Sequence, residues 1–84
     1  MQKSVLVMVV GKRRDIAVKI QEILTESGCI IKTRLGIHDG VGNTCSDEGL
    51  IILELVGSSQ EKKKLAKNLD ALYGVKTKLV DLKM

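Results

Sequence analysis

A polar segment between two apolar stretches holds the side chains best suited to bind a transition metal. From His38 to Gly49 it contains the only histidine of the chain and one of its two cysteines, Cys45. Imidazole nitrogen and thiolate sulfur are ligands that nickel, zinc and copper accept. Two donors per chain do not complete a tetrahedral or square-planar site, so a metal would need His38 and Cys45 from two or more subunits. We expect no cofactor, and keep nickel or zinc at His38 and Cys45 as the alternative.

The same segment carries oxygen donors at Asp39, Asn43, Asp47 and Glu48. Their spacing does not match a calcium-binding EF-hand, which places acidic or amide groups at alternate positions and glycine at the sixth. We interpret these residues as turn-forming side chains in contact with water.

A second candidate site is basic and lies between the first apolar run and a predicted helix, at Gly11-Lys12-Arg13-Arg14. Free amide groups at a helix N-terminus, together with cationic side chains, bind carboxylate or phosphate. The alternative is a solvated charged turn, and no glycine-rich nucleotide fingerprint follows the strand. The predicted ligand-binding residues are Gly11, Lys12, Arg13, Arg14, Arg34, Gly36 and His38.

The composition predicts one small domain spanning residues 1–84. A chain of this length buries only about 60% of its unfolded surface, so oligomerisation would add needed stability. Tyr73 is the only aromatic residue, so the core must consist of Val, Ile, Leu and Met. The net charge of +4 permits an anionic ligand without requiring one.

Several function classes find little support in the sequence. The longest apolar run, Val5–Val10, is far shorter than the roughly 20 residues of a membrane span, and no signal peptide is recognisable. RNA-binding domains of comparable topology stack bases on strand aromatics, which Val5–Val10 and Leu50–Val56 lack, so we do not expect this domain alone to bind nucleic acid. No base-orienting partner for a nucleophile can be named, so we expect no enzymatic activity. Two cysteines without a disulfide framework predict reduced thiols in the cytoplasm.

Hydrophobic periodicity predicts six elements in the order β-α-β-β-α-β. The strands are expected at Val5–Val10, Ile30–Ile37, Leu50–Val56 and Val75–Leu82. An apolar stripe of Ile16, Ile20, Ile23 and Leu24 predicts the first helix, with Asp15 as its N-cap and Gly28 after its end. Ser58 and Glu61 predict a capping box for the second helix, which would turn Leu65, Leu69 and Leu72 inward and Lys62, Lys63, Lys64 and Lys67 largely outward.

This order predicts the ferredoxin-like α+β sandwich, a four-stranded antiparallel sheet with two helices on one face. Right-handed crossovers would make the first and third strands central. The opposite face would then expose alternate residues of the first strand, either Leu6, Met8 and Val10 or Val5, Val7 and Val9, together with residues such as Leu50 and Ile52. An apolar patch of this size predicts a homodimer or tetramer formed through the sheet.

The segments Arg34-Leu35-Gly36-Ile37-His38 and Gly49-Leu50-Ile51-Ile52-Leu53 resemble a known group. They are similar to small stand-alone ACT-like proteins named as iron-only hydrogenase system regulators. The similarity continues at Ile23-Leu24 followed by Gly28 and at Gly74-Val75. The resemblance implies an ACT-like fold that oligomerises and senses a small effector.

A looser resemblance connects the chain to the nickel-sensing C-terminal domain of the NikR repressors, where a histidine-containing loop and a cysteine form a metal site between subunits. His38 and Cys45 match that pattern, but Gly36 occupies the place of the first histidine of the family's pair. Three hypotheses therefore follow. The first is a regulatory module binding a small effector between subunits, linked to a hydrogenase system or to transcription. The others are a nickel-type sensor and a protein-docking module without a ligand.

Overall fold

The computed structural model describes residues 2–11, 14–38 and 49–84, and at residues 14, 15, 37 and 38 it describes the backbone alone. The elements follow the predicted order. They are β1 (Gln2–Val10), α1 (Arg14–Glu26), a short 3₁₀ turn (Gly28–Ile30), β2 (Ile31–His38), β3 (Gly49–Leu55), α2 (Ser59–Asp70) and β4 (Val75–Lys83). Between β2 and β3, residues 39–48 lie outside the described part of the chain.

The four strands form one antiparallel sheet in the order β2-β3-β1-β4. This order confirms the prediction that the first and third strands are central, and it leaves the last strand, which contains three lysines, at an edge. The central strands are also the two that lack charged residues over most of their length. Lysines on an edge strand such as β4 oppose pairing with a foreign strand.

The core lies between the helices and one face of the sheet. Leu6, Met8 and Leu53 of the central strands are fully buried against the helices. In α1 the predicted stripe is inward: Ile16, Ile20 and Leu24 are buried, and Ile23 is partly buried. These side chains repeat with the 3.6-residue period of a helix and therefore share one face.

The helix ends confirm one predicted cap and correct another. Ser58 Oγ accepts the amide of Glu61 at 3.1 Å, and a Glu61 carboxylate oxygen accepts the Ser58 amide at 3.1 Å, which completes the capping box. Asp15, predicted as the N-cap of α1, lies inside that helix, which begins at Arg14. An N-cap has a non-helical backbone, so Asp15 cannot have this role.

Gly57, between β3 and α2, adopts φ of +100°, where side chains other than hydrogen are strained. A Cβ atom there would lie 3.0 Å from Ile30 Cγ2 and 3.2 Å from Glu61 Oε1. We therefore expect Gly57→Ala to lower the free energy of unfolding by about 1–3 kcal/mol in urea denaturation. Gly36→Ala is the matched control, because no atom lies within 4 Å of a Cβ there and its φ is not positive. Equal losses for the two variants would contradict this account.

Within the three described ranges, neither helix is both long and apolar enough to cross a bilayer.

Candidate functional site

Backbone pairing brings the two candidate binding segments to one end of the sheet, which we call the loop end. His38, the last residue of β2, pairs with Gly49, the first residue of β3. Gly49 also pairs with Val10, the last residue of β1, and Val10 pairs with Val75 at the start of β4. The 39–48 segment and the chain that follows β1 therefore both leave the sheet at this end.

At the loop end, a backbone hydrogen bond between two glycines joins the chain after β1 to the chain before β4. The Gly11 amide donates to the Gly74 carbonyl oxygen at 2.8 Å, and Gly74 adopts φ of +83°, which favours glycine. Helix α1 begins at Arg14, so its N-terminus also belongs to this end of the molecule. The first amide groups of a helix have no partner within the helix and carry a partial positive charge. An anion is the ligand that this backbone arrangement favours.

Arg34 is a predicted binding residue that the structure places elsewhere. Its Nη1 donates to Gln21 Oε1 of α1 at 2.9 Å, on the flank of the molecule where β2 meets α1. Arg34 and Gln21 line a shallow hollow of about 200 Å³ there, together with Leu24, Thr25, Gly28 and Ile31. Four residues along a strand span about 13 Å, so Arg34 lies that far from His38. Gly36, between them, has open space where a side chain would be.

The remaining predicted site residues lie partly outside the described structure. Lys12, Arg13 and Cys45 fall outside the described ranges, and at Arg14 and His38 only the backbone is given. Among the described residues, no group of three or more His, Cys, Asp or Glu side chains is arranged to hold a metal ion. The metal site at His38 and Cys45 therefore stays a prediction.

A polar cluster that the sequence analysis missed lies at the opposite end of the sheet. In this cluster Ser4 and Lys62 are buried, while Gln2 and Asp81 are exposed. Lys62 of α2, predicted to face outward, is only 8% exposed, and its Nζ donates to Ser4 Oγ of β1 at 2.8 Å. Ser4 Oγ in turn donates to Asp81 Oδ1 of β4 at 2.5 Å, and Gln2 Nε2 donates to the same oxygen at 3.3 Å. The buried ammonium group of Lys62 thus has the Ser4 hydroxyl as its partner, and that hydroxyl connects it to the Asp81 carboxylate.

The spacing of Lys62 contains a sign of this burial. Lys62 precedes Leu65 by three residues and Leu69 by seven, so it lies on the same stripe as these two buried leucines. Ser4 likewise alternates with Leu6 and Met8 on the helix-facing side of β1. Lysine as a residue type favours an exposed position, but the helical spacing from Leu65 and Leu69 predicts an inward one. The spacing gave the correct prediction.

Asp81 gives the cluster a dependence on pH. The hydrogen bond from Ser4 lowers the pKa of Asp81 below its ordinary value of 3.8, with smaller contributions from Gln2 and from the charges of Lys62 and Lys83. A lowered native pKa means that the carboxylate stabilises the fold above that ordinary value, and that this stabilisation is lost as the pH falls through the lowered pKa.

We therefore expect the wild-type free energy of unfolding to fall below about pH 3.8, and to fall less in Asp81→Asn, when urea denaturation is followed against pH. Some acid loss should persist in that variant, because hydrogen bonds from Ser58 also lower the pKa of Glu61. The further change Glu61→Gln should remove that part. Identical profiles for wild type and Asp81→Asn would contradict the role of this carboxylate.

A groove of about 310 Å³ separates the end of α1 from the start of α2. It is lined by Glu26, Ser27, Cys29, Ile30, Glu61, Lys64, Leu65 and Asn68. Cys29 is a free, exposed thiol. Its neighbours Glu61 and Lys64 bear opposite charges, and Glu61 is engaged in the capping box, so the groove offers no concentrated charge for a ligand.

No family model and no curated protein sequence matches this chain. Solved structures do. The chain is similar to the uncharacterized protein TM1266 from Thermotoga maritima, with a TM-score of 0.83 at 25% identity over 99% of this chain and 100% of that one. It is also similar in fold to the apo form of CPII from Thiomonas intermedia K12, a nitrogen regulatory PII-like protein. There the TM-score is 0.61 at 12% identity, over 100% of this chain and 92% of that chain.

The same fold occurs within a larger enzyme chain. A formyltetrahydrofolate deformylase from Pseudomonas putida KT2440 is similar with a TM-score of 0.59 at 16% identity, over 93% of this chain but only 28% of the enzyme. These similarities confirm the ferredoxin-like α+β fold, which stand-alone proteins and part of an enzyme share.

Proposed function

We propose that this chain is a small regulatory domain that binds a small anionic effector at the loop end. The observation that carries the proposal is the backbone pairing of His38 with Gly49 and of Gly49 with Val10, which places the ends of β2 and β3 that flank residues 39–48 beside the end of β1. Two candidate binding segments, separate in sequence, thus leave the sheet at one place. The similarity in fold to a nitrogen regulatory PII-like protein supports a regulatory domain.

The chemistry of the loop end favours a carboxylate or phosphate group. Lys12, Arg13 and Arg14 supply three positive charges in sequence, directly at the start of α1. Guanidinium groups bind these anions through paired hydrogen bonds, and the free amides of a helix N-terminus add to the attraction. An amino acid or a small phosphorylated metabolite therefore fits the proposal better than a neutral or cationic molecule.

Binding becomes regulation when the effector has different affinities for two states of the protein. The candidate states differ in the arrangement of the segment that joins β2 to β3 or in the association of subunits. The resemblance of Arg34–His38 and Gly49–Leu53 to iron-only hydrogenase system regulators makes a cytoplasmic hydrogenase system, or its transcription, the proposed target.

Thermal unfolding in the presence of a chelator tests the proposal with inorganic phosphate, L-glutamate and glycine as probes. A ligand that binds the native state at 100 times its dissociation constant stabilises it by about 2.7 kcal/mol. We expect at least one anionic probe to raise the midpoint temperature of unfolding. The double variant Arg13→Ala/Arg14→Ala should lose at least half of that rise.

The control is Lys63→Ala/Lys67→Ala, which removes the same charge from the exposed surface of α2. It should keep the full rise. If no probe stabilises the wild type, or if both double variants lose the effect equally, an anion site at the loop end is contradicted. Stabilisation by nickel or zinc without chelator, lost in His38→Ala and Cys45→Ala, would favour the metal-sensing hypothesis instead.

A further inference from the structure

Burial distinguishes the two sides of the sheet. Leu6 and Leu53 are completely buried against the helices, on what we call the helix side. Of the two sets of β1 residues considered from the sequence, the one turned away from the helices is Val5, Val7 and Val9, which are exposed or half-buried. We call their side the outer side. A homodimer formed through the outer side stays a prediction.

The two edge strands of the sheet differ in how their free edges are covered. On β4, the Thr77 amide donates to Asp70 Oδ1 of α2 at 3.0 Å, and Thr77 Oγ1 donates to the Ala66 carbonyl oxygen at 3.4 Å. Helix α2 therefore occupies part of the free edge of β4. From Thr33 to His38 of β2, no described residue outside β3 makes a comparable backbone hydrogen bond. A free edge of this kind can pair with an added strand.

The free edge of β2 is regular over a length that suits an added strand. Pairing of β2 with β3 is continuous from Thr33 to His38, and its irregularity lies before this stretch, between Ile31 and Thr33. Six residues at 3.3 Å each give an edge of about 20 Å, the length of an ordinary strand. A strand added here would meet an uninterrupted row of backbone groups.

The side chains around this edge carry a surplus of positive charge. Arg34 Nη1 donates to Gln21 Oε1 at 2.9 Å, and this neutral partner leaves the charge of the guanidinium uncompensated. Lys3 and Lys32 share one carboxylate, that of Glu54, at 3.4 Å and 4.0 Å. Three cations and one carboxylate leave two positive charges beside the edge. Guanidinium groups bind carboxylates through paired hydrogen bonds, so an acidic partner fits this edge.

The two sides of β2 offer different surroundings to the side chains of an added strand. Arg34 pairs with Leu53 and lies on the helix side, next to the hollow of about 200 Å³ between α1 and β2. A Cβ atom at Gly36, on the same side, would have no atom within 4 Å. Leu35 lies on the outer side and is 53% exposed. Room and positive charge on one side, with an apolar contact on the other, favour a strand that alternates acidic and apolar residues.

We propose that the free edge of β2 binds an extended acidic segment of another protein as a fifth strand. Its acidic side chains lie beside Arg34 on the helix side, and its apolar side chains lie beside Leu35 on the outer side. A second copy of β2 fits less well, because this strand contains Lys32 and Arg34 and no acidic residue. Strand addition does not depend on an anion at the loop end, which lies about 13 Å from Arg34 along β2.

Fluorescence anisotropy with two labelled octapeptides tests the proposal. One peptide alternates valine and glutamate, and the other alternates valine and lysine. The wild-type chain should bind the glutamate peptide saturably and the lysine peptide at least about tenfold more weakly. Arg34→Glu should weaken binding of the glutamate peptide at least about tenfold and strengthen binding of the lysine peptide. Thermal unfolding confirms that the variant folds, which we expect because Arg34 is exposed.

The matched control is Lys63→Glu, which makes the same charge change on the exposed surface of α2. It should leave the binding of both peptides nearly unchanged. Equal binding of the two peptides to the wild type, or no saturable binding of the glutamate peptide, overturns the proposal. Equal losses in Arg34→Glu and Lys63→Glu overturn it too. If sedimentation equilibrium shows self-association that Arg34→Glu alters and Lys63→Glu does not, a second copy occupies the edge and the proposal is wrong.

N-methylation of the glutamate peptide tests strand addition separately from charge. One version carries N-methyl groups on its valines, and the other carries them on its glutamates. Alternate amides of a strand point to opposite edges, so only the version methylated along the edge that faces β2 should lose binding. Equal effects of the two versions, whether both bind or neither binds, overturn strand addition.

Discussion

Leu53→Ala is expected to lower the free energy of unfolding by about 2–5 kcal/mol, the largest effect of any single change considered for this chain. Leu53 lies on the central strand β3, is completely buried, and belongs to the core between sheet and helices. Its truncation removes apolar contacts and leaves a cavity that neighbours on a hydrogen-bonded sheet fill poorly. Urea denaturation followed by circular dichroism measures the loss.

The matched control is Leu35→Ala, the same substitution on the face of β2 that is turned away from the helices. Leu35 is 53% exposed, so in the isolated chain we expect a loss below about 1 kcal/mol. Both variants are compared at a protein concentration where the chain is monomeric, so that association does not add to either value. A loss for Leu35→Ala as large as that for Leu53→Ala would contradict the assignment of the two faces.

Ser4→Ala is expected to cost about 1–3 kcal/mol, although it removes only one oxygen atom. Ser4 is completely buried and is the acceptor for the Lys62 ammonium group. Alanine would leave that buried charge without a hydrogen-bond partner among the described side chains, and it would also remove the hydroxyl that donates to Asp81. Leaving a buried donor unsatisfied costs more than the net value of the bond itself.

A double-mutant cycle with Lys62→Met shows whether the cost arises from this charge. Methionine keeps an apolar side chain of comparable length, and replacing a buried charge by an apolar group is often neutral or stabilising. In the Lys62→Met background we expect Ser4→Ala to cost less than half as much as in the wild type. Equal costs in both backgrounds would show that the loss arises from packing or from the hydrogen bond to Asp81, and that the ammonium group does not need Ser4.

The fold could be predicted from the sequence because the period of the apolar residues agreed with the residues that begin and end each helix and strand. The change from a helical period at Ile16–Leu24 to alternation after Cys29 located the first helix and the second strand. Ser58 and Glu61 fixed the start of α2, and the crossover rule placed the first and third strands at the centre. Each of these depends on local chemistry or on topology.

The errors came from features that depend on tertiary contacts. Lys62 shares the inward stripe of α2, but its hydrogen-bond partner Ser4, which in turn contacts Asp81, is far away in sequence. Asp15 has the residue type of a cap, but α1 begins at Arg14, two residues before the start that such a cap implies. The candidate site was predicted as segments, and only strand pairing shows that Gly11 and His38 reach one end while Arg34 contacts Gln21 on the flank.

Amide chemical shifts of ¹⁵N-labelled protein, followed during titration with inorganic phosphate and then L-glutamate, test the effector site most directly. The account predicts saturable shifts concentrated at Gly11, Arg14, His38 and Gly49, with little change at Ser4, Lys62 and Asp81 at the opposite end. Shifts confined to the α1–α2 groove around Cys29, or no saturable shift with either anion, would contradict an anion-binding site at the loop end.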